Sequence, residues 1–276
     1  VYNTVSGDFY QPVEQQPSFT PRGTHAQTSK WPNQPCPRGG HAAAAIDVRV
    51  YIFGGYGGFG YSRRELDDMH VLDTETWKWR KVSPKGTGPE KRSGHAMSAV
   101  ENRLYVFGGW NSTTQFRDMH VLDFEGLGEE ESPTWMSYDT AMRAPRWDHA
   151  SCAVMAFPNW KVFVFGGVTG PLSEQNKQGE VMSDISVLDT GSNIWTTPEI
   201  HGEGPHKRSG AQLAYNGKES KLVVFGGWQN QWFSDIHVLD VSRVVGPPYA
   251  IMDIYPSEGA ITGGTEIEIG GIDFIN

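Results

Sequence analysis

The feature that most constrains this chain is an apolar run ending in two glycines, which occurs four times. Val50-Tyr51-Ile52-Phe53-Gly54-Gly55 is followed by Leu104-Tyr105-Val106-Phe107-Gly108-Gly109, Val162-Phe163-Val164-Phe165-Gly166-Gly167 and Leu222-Val223-Val224-Phe225-Gly226-Gly227. Successive Gly pairs begin 54, 58 and 60 residues apart. A period of this length predicts one supersecondary unit copied and stacked, so that neighbours bury what a single unit cannot.

Three further landmarks accompany each run. Arg-x-x-His with small residues after it appears at Arg38 to His41, Arg92 to His95 and Arg146 to His149, whereas the fourth copy, Arg208-Ser209-Gly210-Ala211, lacks the His. Asp-(Met/Ile)-x-Val-Leu-Asp follows the glycines at Asp68 to Asp73, Asp118 to Asp123, Asp184 to Asp189 and Asp235 to Asp240. A downstream Trp (Trp77, Trp135 or Trp195) closes the first three copies. This order predicts four short strands per unit. Strand a is the small-residue run, suited to a crowded inner edge. Strand b is apolar throughout, as a strand buried on both faces should be. Strand c lies between the two Asp residues, and strand d carries the Trp. The glycines are expected at positive φ with backbone close by. The Asp side chains are expected to hold backbone amides at the strand ends. With 33 Gly, 17 Pro and 12% aromatic residues, composition suits an all-β chain of many short strands.

Taken together and in this order, the landmarks resemble the kelch repeat family over about residues 37–245. The resemblance implies a kelch-type β-propeller of four-stranded antiparallel blades, with units at about 37–90, 91–145, 146–205 and 206–245. Propellers carry 4–8 blades. Residues 1–36 read as an irregular segment or the remnant of an earlier blade, because Pro21-Arg22-Gly23-Thr24-His25 echoes Pro37-Arg38-Gly39-Gly40-His41 and Trp31 falls where a closing Trp would. Gly246-Pro247-Pro248 marks a boundary. Beyond it, the alternation from Thr265 to Ile269 predicts a half-buried strand, and residues 246–276 resemble a linker and the opening of an IPT/TIG domain, an immunoglobulin-like β-sandwich. Such a sandwich needs about 100 residues. The chain also starts with Val, so it reads as a piece of a longer one.

The composition narrows the function classes. A net charge of −9 argues against nucleic acid or an anionic membrane as partner, and no apolar run is long enough to span a bilayer. Two separated cysteines, Cys36 and Cys152, form no disulfide framework or zinc spacing. With no signal-peptide pattern at the start, the expected setting is reducing and cytoplasmic. No Gly-x-Ser-x-Gly, His-Glu-x-x-His or P-loop sequence is present. The expectation is therefore no catalytic residues, no cofactor and no metal. His41, His95 and His149, like His70, His120 and His237, recur at one repeat position each, which favours packing over ligation. Asn111-Ser112-Thr113 is a glycosylation sequon that matters only in a secreted protein.

Binding is expected in the b–c loops, since loops on a rigid scaffold carry function, and aromatic residues and Arg dominate interface hot spots. The candidates are Phe59, Tyr61, Arg63 and Arg64 in the first loop, Trp110, Phe116 and Arg117 in the second, and Trp228, Trp232 and Phe233 in the fourth. Trp110 and Trp228 fit equally well as packing against neighbouring blades. The third loop is polar, with Glu174, Lys177 and Glu180, and the d–a loops Pro84 to Lys91 and Pro198 to Lys207 edge the same face. The acidic stretch Glu125, Glu129, Glu130 and Glu131 reads as a solvated insertion. Kelch-type propellers serve as non-catalytic scaffolds, as substrate receptors of ubiquitin ligases or as effectors of small GTPases. The expectation is a scaffold in a multi-subunit assembly, cytoskeletal or ciliary (cilium or flagellum). The alternatives are a ubiquitin-ligase receptor and a copper oxidase of the galactose oxidase type, which also joins such a propeller to an immunoglobulin-like domain.

Overall fold

The computed structural model describes residues 2–3, 8–9, 33–126, 132–156, 158–170, 179–246, 250–256, 258 and 268–272. Strands a to d of the first blade are Ala42–Ile46, Arg49–Phe53, Met69–Asp73 and Lys78–Val82. Those of the second are Ala96–Val100, Arg103–Phe107, Asp118–Asp123 and Thr134–Ala141. In the third they are Ala150–Ala156, Asn159–Phe165, Ile185–Asp189 and Ile194–Thr196. Each is an antiparallel sheet in the order a-b-c-d. The fourth blade has strands a to c, Gln212–Asn216, Lys221–Phe225 and Ile236–Asp240. After Asp240 the chain turns into the short helix Ser242–Val245, and Val241 and Val245 join the core under blades three and four.

The strand registers correct one sequence assignment. The Trp that closes a blade pairs with the Leu of Val-Leu-Asp: Leu122 with Trp135, and Leu188 with Trp195. In blade one the partner of Leu72 is Trp79, not Trp77. Trp77 sits in the c–d turn at φ 57°, the place Asn193 takes in blade three at the same angle. The closing Trp reaches across to the preceding blade. Trp135 packs edge-on against Phe53 and Trp195 against Phe107, each at 5.6 Å between ring centres.

Neighbouring blades lie strand a against strand a, and Ser98 and Ser151 share a 2.9 Å hydrogen bond between two such strands. The apolar faces are buried between blades: Phe53, Met69 and Val71 in blade one, Phe107, Met119 and Val121 in blade two, Phe165, Ile185 and Val187 in blade three. Each such side chain contributes about 1.5–3 kcal/mol on leaving water. Their counterparts in blade four, Phe225, Ile236 and Val238, are at least half exposed. What differs is the following blade, which covers this face in the first three units.

The Gly pairs owe their identity to the blade boundary. Gly108 (φ 66°) faces the next blade, and a Cβ there would lie 2.7 Å from both the Arg146 carbonyl and the His149 ring. Gly109 faces its own blade, where a Cβ would meet the His95 Cβ at 2.7 Å, while its N–H donates to the Arg146 carbonyl at 2.8 Å. Gly54 and Gly55 repeat this arrangement with Arg92, His95 and His41. Outside the blades, Ala250–Tyr255 pairs antiparallel with Glu268–Ile272. The second strand of this pair overlaps the predicted alternation at Glu268 and Ile269, and residues 265–267 lie outside the described residues. The echo at Pro21 to His25 and Trp31 also lies outside them.

Candidate protein-interaction face

The end of the blades that carries the b–c loops is built on a repeated ion pair. Arg92 is wholly buried and holds Asp118 with both arms, Nη1 to Oδ1 at 2.7 Å and Nη2 to Oδ2 at 2.8 Å. It also donates to the carbonyls of Gly108 and Glu90 at 2.9 Å each. Arg38–Asp68, Arg146–Asp184 and Arg208–Asp235 repeat the two-armed pairing, and each Arg also donates to the first glycine of its pair. The Arg-x-x-His motif and the first Asp of strand c are thus two halves of one structural bond. His70, His120 and His237 contact the same carboxylates through Nε2 at 2.9, 3.1 and 2.9 Å. Burial works to raise the Asp68 and Asp118 carboxyls, but the His and Arg hydrogen bonds hold both well below the usual range. The second Asp of each motif does what the sequence suggested: Asp73 accepts from the N–H groups of Glu75 and Thr76, and Asp189 from those of Gly191 and Ser192.

Above this base the candidate residues separate into two groups. Tyr61 is fully exposed, Trp232 is 82% exposed, and Phe59, Arg63, Arg64 and Arg117 also reach solvent. Phe116 and Phe233 face inward. The Arg92 guanidinium lies 4.0 Å over the Phe116 ring and that of Arg208 lies 4.2 Å over Phe233. Phe116 is buried and Phe233 half-buried. Phe116 offers no open ring to a partner, because it forms the platform under Arg92, whereas Phe233 lies under Arg208 and also lines a groove with His206, Gln229 and Gln231. Leu66 and Met182 occupy the same place in the other blades, two residues before the Asp, and the N–H of all four residues donates to the second glycine. This apolar position at Asp−2 was the signal that sequence reasoning missed. Trp110 is half-buried and packs on Trp147 of the next blade at 6.0 Å. Trp228 is also half-buried; it bridges to Ser209 and Trp232 and lines a groove of about 370 Å³ with Val168, Val181 and Lys207. Glu180 and Lys207 form an exposed ion pair at 2.9 Å, and Glu174 and Lys177 lie outside the described residues.

The motif histidines pack beside the glycines. His95 and His149 are buried, and neither ring makes a hydrogen bond of good geometry, although the Phe53 and Arg146 carbonyls lie close enough to favour the charged form slightly. Burial, with Arg92 or Arg146 adding to it, pushes both imidazoles down to about 3, so they are neutral at physiological pH. Among the described residues no three His, Cys, Asp or Glu side chains converge as a metal site would require. Cys36 accepts a contact from Arg38 at 3.4 Å, and Cys152 packs on the core of blades three and four. The sequon residue Asn111 is buried, with its Oδ1 accepting from the N–H groups of Thr113 and Thr114. Glu125 pairs with Arg103, and Glu129, Glu130 and Glu131 lie outside the described residues.

Repeated antiparallel blades, each pinned internally by an Arg–Asp pair and packed on the next through Gly–His contacts, fit the β-propeller repeat class. The KLHDC2/KLHL20/DRC7 Kelch-repeats domain matches residues 20–169 and 129–245, and the chain belongs to the kelch-repeat family. It is 32% identical over 253 residues to the alpha chain of flagellar outer arm dynein from Chlamydomonas reinhardtii, which covers 87% of this chain and 5% of that protein. Acyl-CoA-binding domain-containing protein 4 of Arabidopsis thaliana is 32% identical over 76% of this chain and 29% of its own length. Human Kelch domain-containing protein 3 is 28% identical over 74% of this chain and 52% of its own. The chain therefore spans between a twentieth and about half of these relatives.

Proposed function

We propose that this chain is a non-catalytic protein-interaction module that holds a partner through its b–c loops within a larger assembly. The observation that carries this reading is the pair of exposed aromatic side chains, Tyr61 and Trp232, set on a scaffold whose loop bases are fixed by buried Arg–Asp pairs. Large amphipathic rings held in water on a rigid frame are the residues that supply hot-spot contact area at small entropic cost. Phe59, Arg63, Arg64 and Arg117 extend the same surface. Similarity to a flagellar outer-arm dynein chain supports an assembly of the ciliary motor type, and a propeller leading into an IPT/TIG-like unit fits a structural subunit of it. The test is co-sedimentation of the protein with salt-extracted flagellar axonemes, comparing wild type with Tyr61→Ala/Trp232→Ala. Saturable binding lost in the variant, at unchanged thermal stability, supports the reading. Equal binding by both proteins removes these loops as the interface, and no binding by either removes the axonemal assembly.

A further inference from the structure

Every internal junction between blades uses the same two backbone hydrogen bonds. The N–H of the second glycine donates forward to the motif Arg carbonyl of the next blade: Gly55 to Arg92 at 2.8 Å, Gly109 to Arg146 at 2.8 Å and Gly167 to Arg208 at 3.0 Å. The third motif residue donates back to its counterpart in the blade before: Gly94 to Gly40 at 2.8 Å, Asp148 to Gly94 at 2.7 Å and Gly210 to Asp148 at 2.8 Å. The two ends of the array hold the unmatched halves of such a junction. Among the described residues, the Gly227 N–H on blade four has no acceptor and the Gly210 carbonyl has no donor. On blade one the Arg38 carbonyl has no donor and the Gly40 N–H has no acceptor.

The side chains divide in the same way. On blade four Phe225, Ile236 and Val238 are 50%, 65% and 57% exposed. At Gly226 a Cβ would meet nothing nearer than the Phe233 carbonyl at 3.6 Å, whereas Gly54 and Gly108 face the next motif His at 2.8 and 2.7 Å. On blade one Val50 and Ile52 are half-buried, while Leu104 and Val106, in the same places on blade two, are wholly buried against blade one. His41 is exposed, and His95 and His149 are buried. Trp79 covers no ring among the described residues, whereas Trp135 covers Phe53 and Trp195 covers Phe107.

We infer that blade four of one copy docks on blade one of a second copy, continuing the array across the boundary between chains. Each free group at one end has its counterpart at the other: the Gly227 N–H with the Arg38 carbonyl, the Gly40 N–H with the Gly210 carbonyl, open Gly226 with His41, and Phe225 with Trp79. Exposed apolar faces of this kind mark interfaces. The contact is heterologous, and two copies that each bring four blades can close it into eight, within the range of 4–8 blades that propellers carry. It uses the flat of the end sheets and not the b–c loops, so it goes beyond the interaction reading above.

Sedimentation velocity of the whole chain over a dilution series tests this. Wild type should associate, with a two-copy species. Ile236→Lys on blade four and Ala43→Lys on blade one both lie at exposed positions. Each should abolish association with an unchanged circular dichroism spectrum. Mixing the two variants should restore a two-copy species, because the intact blade one of the first meets the intact blade four of the second. A monomer at every concentration overturns the inference, as does association that survives either substitution or a mixture that stays monomeric. Loss with Ile236→Lys but not with Ala43→Lys would mean that two blade-four faces meet each other, which also overturns it. Tyr61→Ala/Trp232→Ala should associate like wild type, so this junction and the loop surface can fail separately.

Discussion

Replacing Arg92 by Ala tests the central structural claim, that the loop face rests on buried Arg–Asp pairs. The side chain is wholly buried and makes four hydrogen bonds: two to Asp118, one to Gly108 and one to Glu90. It also covers the Phe116 ring at 4.0 Å. Breaking a buried pair by removing one partner costs about 3–5 kcal/mol, because the remaining groups keep their desolvation cost. Asp118 lies 37% exposed and recovers some water, which places the loss near the lower end, about 3 kcal/mol. For a chain of this size that corresponds to a fall in Tm of roughly 6–12 °C. Arg117→Ala is the control, since Arg117 is exposed and outside the pair, and its loss should be within about 0.5 kcal/mol. Arg92→Lys should fall between, because an ammonium cannot span both carboxylate oxygens. Differential scanning calorimetry of the three variants decides the matter. A fall below about 2 °C for Arg92→Ala, or an equal fall for Arg117→Ala, would refute the argument.

Acid sensitivity should begin above the carboxylate range. His95 and His149 have folded pKa values lowered to about 3, so between their unfolded values and that point the unfolded chain binds protons that the folded chain refuses. Stability is then complete above about pH 6.5 and falls by up to about 1.4 kcal/mol per pH unit per histidine below it. The depressed Asp68 and Asp118 add a second loss below about pH 4. A Tm profile flat from pH 7 to 4.5 would contradict the buried neutral imidazoles. Gly108→Ala should cost well over the roughly 1–2 kcal/mol of left-handed backbone alone, because the new Cβ meets a carbonyl and a ring at 2.7 Å. Gly210→Ala, with no atom within 4 Å, should cost only that backbone term, and equal losses in urea titrations would argue against the blade-boundary account. Trp232→Ala alone should leave Tm unchanged, whereas Phe233→Ala should lower Tm through a stability loss of about 1 kcal/mol or more from its place beneath Arg208.

The repeat, its four-strand pattern and the positive φ of the glycines were legible because they depend on local alternation and on residue types with one conformational meaning. The partnership of Arg92 with Asp118 was not, since 26 residues and a variable loop separate them, the Asp was assigned to backbone amides and the motif Arg was given no partner. Trp77 lies in the c–d turn and Trp79 two residues on in strand d; taking the first Trp after the motif picked the wrong one, although Trp79 follows Asp73 by the same six residues as Trp195 follows Asp189. Phe116 and Phe233 looked like contact residues for the same reason as Trp232: an aromatic in a polar loop suggests exposure. Aligning the four copies on their Asp would have separated them, because Leu66, Phe116, Met182 and Phe233 keep that place apolar while Trp232 has no counterpart.

The two glycines of each pair also bear on how such an array can change its copy number. Gly55, Gly109 and Gly167 are constrained by histidines of their own blades, so those constraints travel with a duplicated unit. Gly54 and Gly108 are shaped by histidines of the following blade, so a new neighbour must arrive with a compatible ring or none. Gly166 faces the Arg208 carbonyl at 2.6 Å with Ala211 in place of the imidazole, so this glycine is constrained by backbone and not by a ring. Of the three first-glycine contacts, the one between blades three and four makes no demand on a ring, so at that position an inserted or exchanged unit would need no matching histidine.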